Sequence, residues 1–186
     1  MKNKSLRTLV EGALMIALSL VLSYLKIPIG IAFGGFGGSV DLVMIPLIVF
    51  AVRAGCGWGI GAGFIFGTLK FLFAGGAAVN WQSMLLDYSV AYAFVGFAGL
   101  LRGRRGELPL GALVGCVGRF LIHFLSGVTI YRIVDPTEIF GATTSSAAVF
   151  SLLYNGSYML PNTVLAVVIC ALIAKPVHQL GERLDR

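Results

Sequence analysis

The 186 residues hold five or six long apolar stretches, broken by glycine pairs, prolines and only a few charges. A chain built this way has lipid for its solvent. Each bilayer crossing needs about 20 apolar residues, so this length accommodates about six helices joined by short loops. Little remains for a domain outside the membrane, and residues 1–186 are expected to form a single integral membrane domain. Composition agrees: 58% of the residues are apolar and 12% charged, against roughly a quarter charged in soluble domains, and the mean hydropathy is +0.92.

Breakers and caps place the spans. Helix 1 is expected from about Leu6 to Leu25, stopped by Lys26 and Pro28. The loop Gly34-Gly35-Phe36-Gly37-Gly38 is too rich in glycine for a regular span, and its freedom to rearrange suits a lid. Ser39 is placed to cap a short helix 2, about Val40 to Val52. Helix 3 follows from about Cys56 to Phe73 and ends at Gly75-Gly76. Helix 4 runs from about Trp81 to Leu101, helix 5 from about Pro109 to Tyr131, and helix 6 from about Ser145 to Ala174, closed by Pro176. The basic, then apolar N-terminus resembles a signal peptide, but the apolar run is too long and no small-residue cleavage site follows. The fold class expected is an all-α membrane protein, a six-transmembrane-helix bundle in the cell membrane.

Lysine and arginine orient it. The N-terminus, Arg53, the Arg102-Gly103-Arg104-Arg105 loop and the C-terminal tail together carry ten, whereas the opposite side has Lys26, Lys70 and Arg132. Positive charge stays inside, so both termini are expected in the cytoplasm. The net charge of +6 is thereby a topology signal. The basic residues sit at span ends without interleaved aromatics, which argues against nucleic acid as a partner.

The polar residues inside the spans narrow the function. An ionisable group in hydrocarbon persists only where a partner, a cavity or a ligand compensates it. Asp87 and Tyr88 fall about two turns from the outer end of helix 4. Arg119, His123, Gly127 and Tyr131 form an i, i+4, i+8, i+12 ladder on helix 5, and Ser151 and Asn155 are spaced i, i+4 on helix 6. All converge on the outer half, as a chamber open to the exterior would require. Carboxylates, an imidazole, an amide and several rings suit a small, flat, polar heterocycle, especially a cationic one. A bland reading stands beside this one: Asp41 and Asp87 paired with Lys70 and Arg119, fixing helix register.

Other motifs count for less. Gly57-Trp58-Gly59-Ile60-Gly61 misses the dinucleotide spacing, and Gly55, Gly59, Gly63 and Gly67 instead form a close-packing stripe. Cys56, Cys116 and Cys170 stand singly, as packing residues rather than metal ligands. The sequon Asn155-Gly156-Ser157 falls inside a helix. No GxxxxGK[ST] loop occurs, so ATP hydrolysis would have to come from a partner. Nucleophile-elbow, HExxH and paired-Asp signatures are also missing, and the expectation is a non-enzyme without a cofactor of its own.

In order and spacing, several segments resemble the thiamine-specific substrate-binding component, or S component, of energy-coupling factor (ECF) transporters. They are Glu11-Gly12-Ala13-Leu14-Met15-Ile16-Ala17, Val40-Asp41-Leu42-Val43-Met44-Ile45-Pro46, Leu86-Asp87-Tyr88, Arg119-x-x-x-His123-x-x-x-Gly127 and Phe150-Ser151-Leu152-Leu153-Tyr154-Asn155-Gly156. The resemblance implies a bundle that captures thiamine from outside and docks, through Ala13 and Ala17, on a membrane coupling protein carrying two ATPases. It implies substrate contacts at Asp87, Tyr88, Arg119, His123 and Asn155, with Gly127, Tyr131, Phe150 and Ser151 beside them. That family usually has Glu at Asp87, Lys at Arg119 and Tyr at Phe150, and it stacks tryptophans where this chain has a residue near Gly37 and Tyr131. A rival reading is a solitary proton-coupled carrier of thiamine or a related pyrimidine.

Overall fold

The structure is a computed structural model that describes residues 4–29, 37–76 and 78–185. Its helices are α1 (Lys4–Leu22), α2 (Met44–Ala54), α3 (Cys56–Phe73), α4 (Trp81–Leu101), α5 (Glu107–Thr129) and α6 (Ala147–Asp185). All but α2 are long and apolar enough to cross a membrane. The chain is an all-helical, multi-pass membrane protein.

The short α2 forms the centre of the bundle. Its residues Met44 and Pro46 to Val52 are all buried, and Leu47, Ile48 and Phe50 meet Phe66 of α3, Tyr92 and Val95 of α4, Cys116 of α5 and Ala166 and Cys170 of α6 in one apolar core. The surrounding helices turn large apolar side chains outward instead, among them Leu6, Leu14 and Val21 of α1 and Leu113, Leu121 and Leu125 of α5. In water such faces would aggregate; against lipid they are solvated.

Glycine lets α3 lie directly on α4. A Cβ at Gly63 would sit 2.0 Å from the Tyr92 carbonyl oxygen, and one at Gly67 would sit 2.2 Å from that of Tyr88. Gly59 meets Ala51 and Gly96 in the same way. Three positions of the expected stripe therefore pack backbone on backbone, while Gly55, with φ of 103°, makes the turn between α2 and α3.

Several boundaries differ from the sequence reading. Ser39 does not cap α2: Ser39–Val40 pairs antiparallel with Ile27–Pro28 as a two-residue ribbon, β1 (Ile27–Pro28) with β2 (Ser39–Val40). The helix starts only at Met44, where the Asp41 carboxylate accepts from the Val43 N–H at 3.4 Å. Residues Gly34 to Phe36 of the expected lid lie outside the described residues. A second ribbon, β3 (Thr137–Ile139) with β4 (Ala142–Thr144), joins α5 to α6. Helix α6 continues through Pro176 to Asp185. A proline withdraws one backbone donor, which near a helix end, among exposed residues such as Leu172 and Lys175, is a local loss that the helix survives.

Within α4 the residues Leu85–Val90 form a π-helical turn. It follows an N-terminal capping box in which the Asn80 side chain accepts from Ser83 N–H and the Ser83 hydroxyl accepts from Asn80 N–H. One extra residue per turn rotates everything before it relative to the rest of α4. Such turns cluster at functional sites, and this one carries Asp87 and Tyr88.

Candidate functional site

Where α1, α3 and α5 end and α4 and α6 begin, the helices splay around a cavity of about 510 Å³. All nine site residues expected from the sequence line it: Asp87, Tyr88, Arg119, His123, Gly127, Tyr131, Phe150, Ser151 and Asn155. By the charge count above, this end is the extracellular one.

Polar groups on α4 and α5 make one connected chain. Arg119 Nε donates to His123 Nε2 at 3.3 Å, and His123 Nδ1 lies 3.0 Å from Asp87 Oδ1. A guanidinium can only donate, so Nε2 is the acceptor and Nδ1 carries the proton toward Asp87; the network assigns the neutral tautomer. Ser126 closes the set by donating its hydroxyl to Asp87 Oδ2 at 2.8 Å. Asp87 is thus held from two sides with its remaining lone pairs available to the cavity.

Beneath this lies a second network. Lys70 Nζ donates to Asp41 Oδ2 at 3.2 Å and to the Tyr92 hydroxyl at 2.6 Å, and Ser39 donates to the same Asp41 oxygen at 3.1 Å. The Arg119 guanidinium stacks 4.1 Å from the centre of the Tyr92 ring. The bland reading therefore holds for Asp41 and Lys70, which form a buried ion pair. It does not hold for Asp87 and Arg119, which are linked only through His123. Arg119 Nη1 is buried with no hydrogen-bond partner among the described residues. A buried donor left unpaired costs about 1–3 kcal/mol, so a ligand acceptor that reached it would be held correspondingly well.

Helix α6 supplies the aromatic wall. Phe150 and Tyr154 stack with rings 6.0 Å apart and 8° from parallel, Tyr154 meets Tyr158 edge-on, and Tyr158 meets His123 edge-on. Asn155 is fully engaged: its amide nitrogen donates to the carbonyls of His123 and Ser151 and to the Ser151 hydroxyl, and its oxygen accepts from Tyr158. Gly127 serves this helix contact as well as the cavity, because a Cβ there would meet Ser151 Oγ at 2.2 Å. The expected gap for a ring at Gly127 is in fact the approach of α5 to α6.

The same face of α6 holds the segment that follows the first loop. The Tyr154 hydroxyl accepts from Gly37 N–H at 3.1 Å and donates to the Gly37 carbonyl. Asn162 donates to the Ser39 carbonyl at 2.7 Å and accepts from Asp41 N–H at 2.9 Å. Gly38, with φ of 93°, packs so tightly on Tyr158 that a Cβ would lie 2.5 Å from the ring. Tyr92, Ser126, Tyr154 and Tyr158 were not singled out in the sequence. Tyr154 and Tyr158 carried a usable signal, since with Phe150 and Asn162 they repeat every fourth residue.

Away from the cavity, Ala13 and Ala17 are both exposed on α1. Glu11 on the same helix accepts from Arg53 Nε at 2.5 Å, tying α1 to the end of α2.

Comparison with known proteins places these features in a family. A family model described as thiamine transporter protein matches residues 9–181. The thiamine transporter ThiT of Lacticaseibacillus paracasei is 27% identical over 195 residues, covering 96% of this chain and 92% of its own length. That of Bacillus subtilis is 27% identical over 190 residues, covering 92% of each. A solved structure of ThiT from Listeria monocytogenes superposes with a TM-score of 0.76 at 26% identity, over 96% of this chain and 99% of that one.

Proposed function

This chain belongs to the thiamine transporter protein family, and we propose that it takes up thiamine by binding it in the cavity at the outer end of the bundle. One observation carries the reading at residue level: Asp87 is the only carboxylate among the lining residues, surrounded by the rings of Tyr88, Tyr131, Phe150, Tyr154 and Tyr158. Thiamine offers two planar rings, a fixed cationic centre and an exocyclic amine. A carboxylate held by His123 and Ser126 accepts from that amine or offsets that cation, while the rings provide flat apolar contact and cation–π attraction. Arg119 Nη1 supplies a donor for a ring nitrogen, and Tyr131 stacks in the place of a tryptophan. The segment at Gly37 and Gly38, latched by Tyr154, forms the movable wall.

Transport against a gradient needs energy, and the sequence has no nucleotide-binding loop. We infer that this chain is the substrate-capture subunit of an ATP-driven ECF transporter, docking through the exposed Ala13 and Ala17 of α1 on a coupling membrane protein with two ATPase subunits. It acts as a carrier subunit and not as an enzyme.

Titration calorimetry of the purified chain tests the anchor. Asp87→Asn removes the charge at constant volume, and a charge-assisted hydrogen bond is worth about 1.5–3 kcal/mol. Thiamine affinity should fall by about 10–150-fold, and unchanged affinity would remove Asp87 as the anchor. The hydrogen bond between His123 and Asp87 also favours the solitary proton-coupled carrier as a second reading. Uptake by proteoliposomes holding this chain alone, driven by a pH gradient, would select it.

A further inference from the structure

The ionised groups in the cavity and its floor do not leave room for an unescorted cation. Asp41 and Lys70 cancel as an ion pair, Asp87 is balanced by Arg119 through the neutral His123, and Lys26 adds a positive charge at the mouth. Among the lining residues three cations, Lys26, Lys70 and Arg119, face the one carboxylate. Free thiamine would bring another positive charge into this partly desolvated space. A ligand that carries its own anion would not.

Resting on the thiamine reading of the site, we propose that this cavity accepts the vitamin as its phosphate monoester, and that Lys26 is the residue that selects for the phosphate. Such an ester carries about −1.5 to −2 at neutral pH, enough to offset both the ligand's fixed cation and part of the charge of Lys26. The geometry suits a ligand with its amine-bearing ring on Asp87 and His123 and its alcohol-derived tail toward the mouth. Lys26 stands in that mouth, just before β1. Its ammonium makes one long hydrogen bond among the described residues, 3.4 Å to the Ala74 carbonyl, and is otherwise exposed. Donors on Nζ therefore remain for phosphate oxygens, and the turn at Ala74, Gly75 and Gly76 beside it brings no acidic side chain to compete. Lys70, by contrast, is spent on Asp41 and Tyr92 and buried beneath.

The test is calorimetric titration of the purified full chain at low ionic strength with thiamine and with thiamine monophosphate, for wild type, Lys26→Ala and Lys26→Arg. The readout is the ratio of the two affinities, which cancels any general damage to the fold. Wild type should bind the monophosphate at least as tightly as thiamine. Lys26→Ala should shift the ratio against the monophosphate by about tenfold, Lys26→Arg should restore most of it, and added salt should erode the wild-type preference. A ratio that moves less than twofold in Lys26→Ala, or a wild type that binds the monophosphate tenfold more weakly, overturns the proposal while leaving thiamine binding intact. If neither compound binds, the thiamine reading itself fails and this inference falls with it.

Discussion

Replacing Tyr154 by Phe isolates the latch on the cavity wall. The substitution deletes one hydroxyl and with it two hydrogen bonds, one from Gly37 N–H and one to the Gly37 carbonyl. The ring remains, and with it the stack on Phe150 and the edge contact with Tyr158. Each bond contributes about 0.5–1.5 kcal/mol net, so the latched state loses about 2 kcal/mol, equivalent to about a 30-fold change in the latch equilibrium. Asn162 still grips Ser39 and Asp41, so the loosening is confined to the chain before Ser39. If thiamine leaves past Gly37, its dissociation rate should rise by up to about 30-fold, with association changed much less. Chasing radiolabelled thiamine from the purified variant with excess unlabelled thiamine measures this directly. A dissociation rate within twofold of wild type would mean that the ligand leaves by another route.

Two further substitutions probe other parts of the molecule. Changing Ala13 and Ala17 together to Trp should abolish uptake by cells carrying the coupling proteins yet leave thiamine binding by the purified chain intact; loss of both would indicate a folding defect and not a docking face. Gly67→Ala forces a Cβ to within 2.2 Å of the Tyr88 carbonyl, and since that atom is backbone the helices must part. Overpacking of this kind costs about 1–3 kcal/mol, visible as a lower melting temperature in detergent. An unchanged melting temperature would contradict the close contact of α3 with α4.

The parts of this fold that could be read from the chain are those with strong local punctuation. Helix α3 ends where Gly75-Gly76 stands, and α4 spans Trp81 to Leu101 as its apolar run requires. Polar residues spaced by four, such as Arg119, His123 and Gly127, point to one face whatever the tertiary context, so the cavity lining was legible. The ribbon at Ser39–Val40 was not, because two residues carry no periodicity and the local signal favoured a cap. Pro176 misled because it ends helices on average but not each time. Tyr92 and Ser126 were missed for another reason: a ring and a small hydroxyl among apolar residues read as packing, and their value depends on Lys70, Arg119 and Asp87 arriving from other helices.

The π-helical turn at Leu85–Val90 has a consequence for how this protein can change. It is a phase slip: the outer third of α4, carrying Asp87 and Tyr88, is aimed independently of the inner two thirds, whose Ala91, Tyr92 and Val95 stay locked in the core. Ligand preference can therefore drift by re-aiming two side chains, at no expense to the lipid-embedded scaffold. Deleting a single residue within that turn would swing the anchor by about a quarter of a revolution and leave a well-folded bundle whose cavity had lost its negative pole.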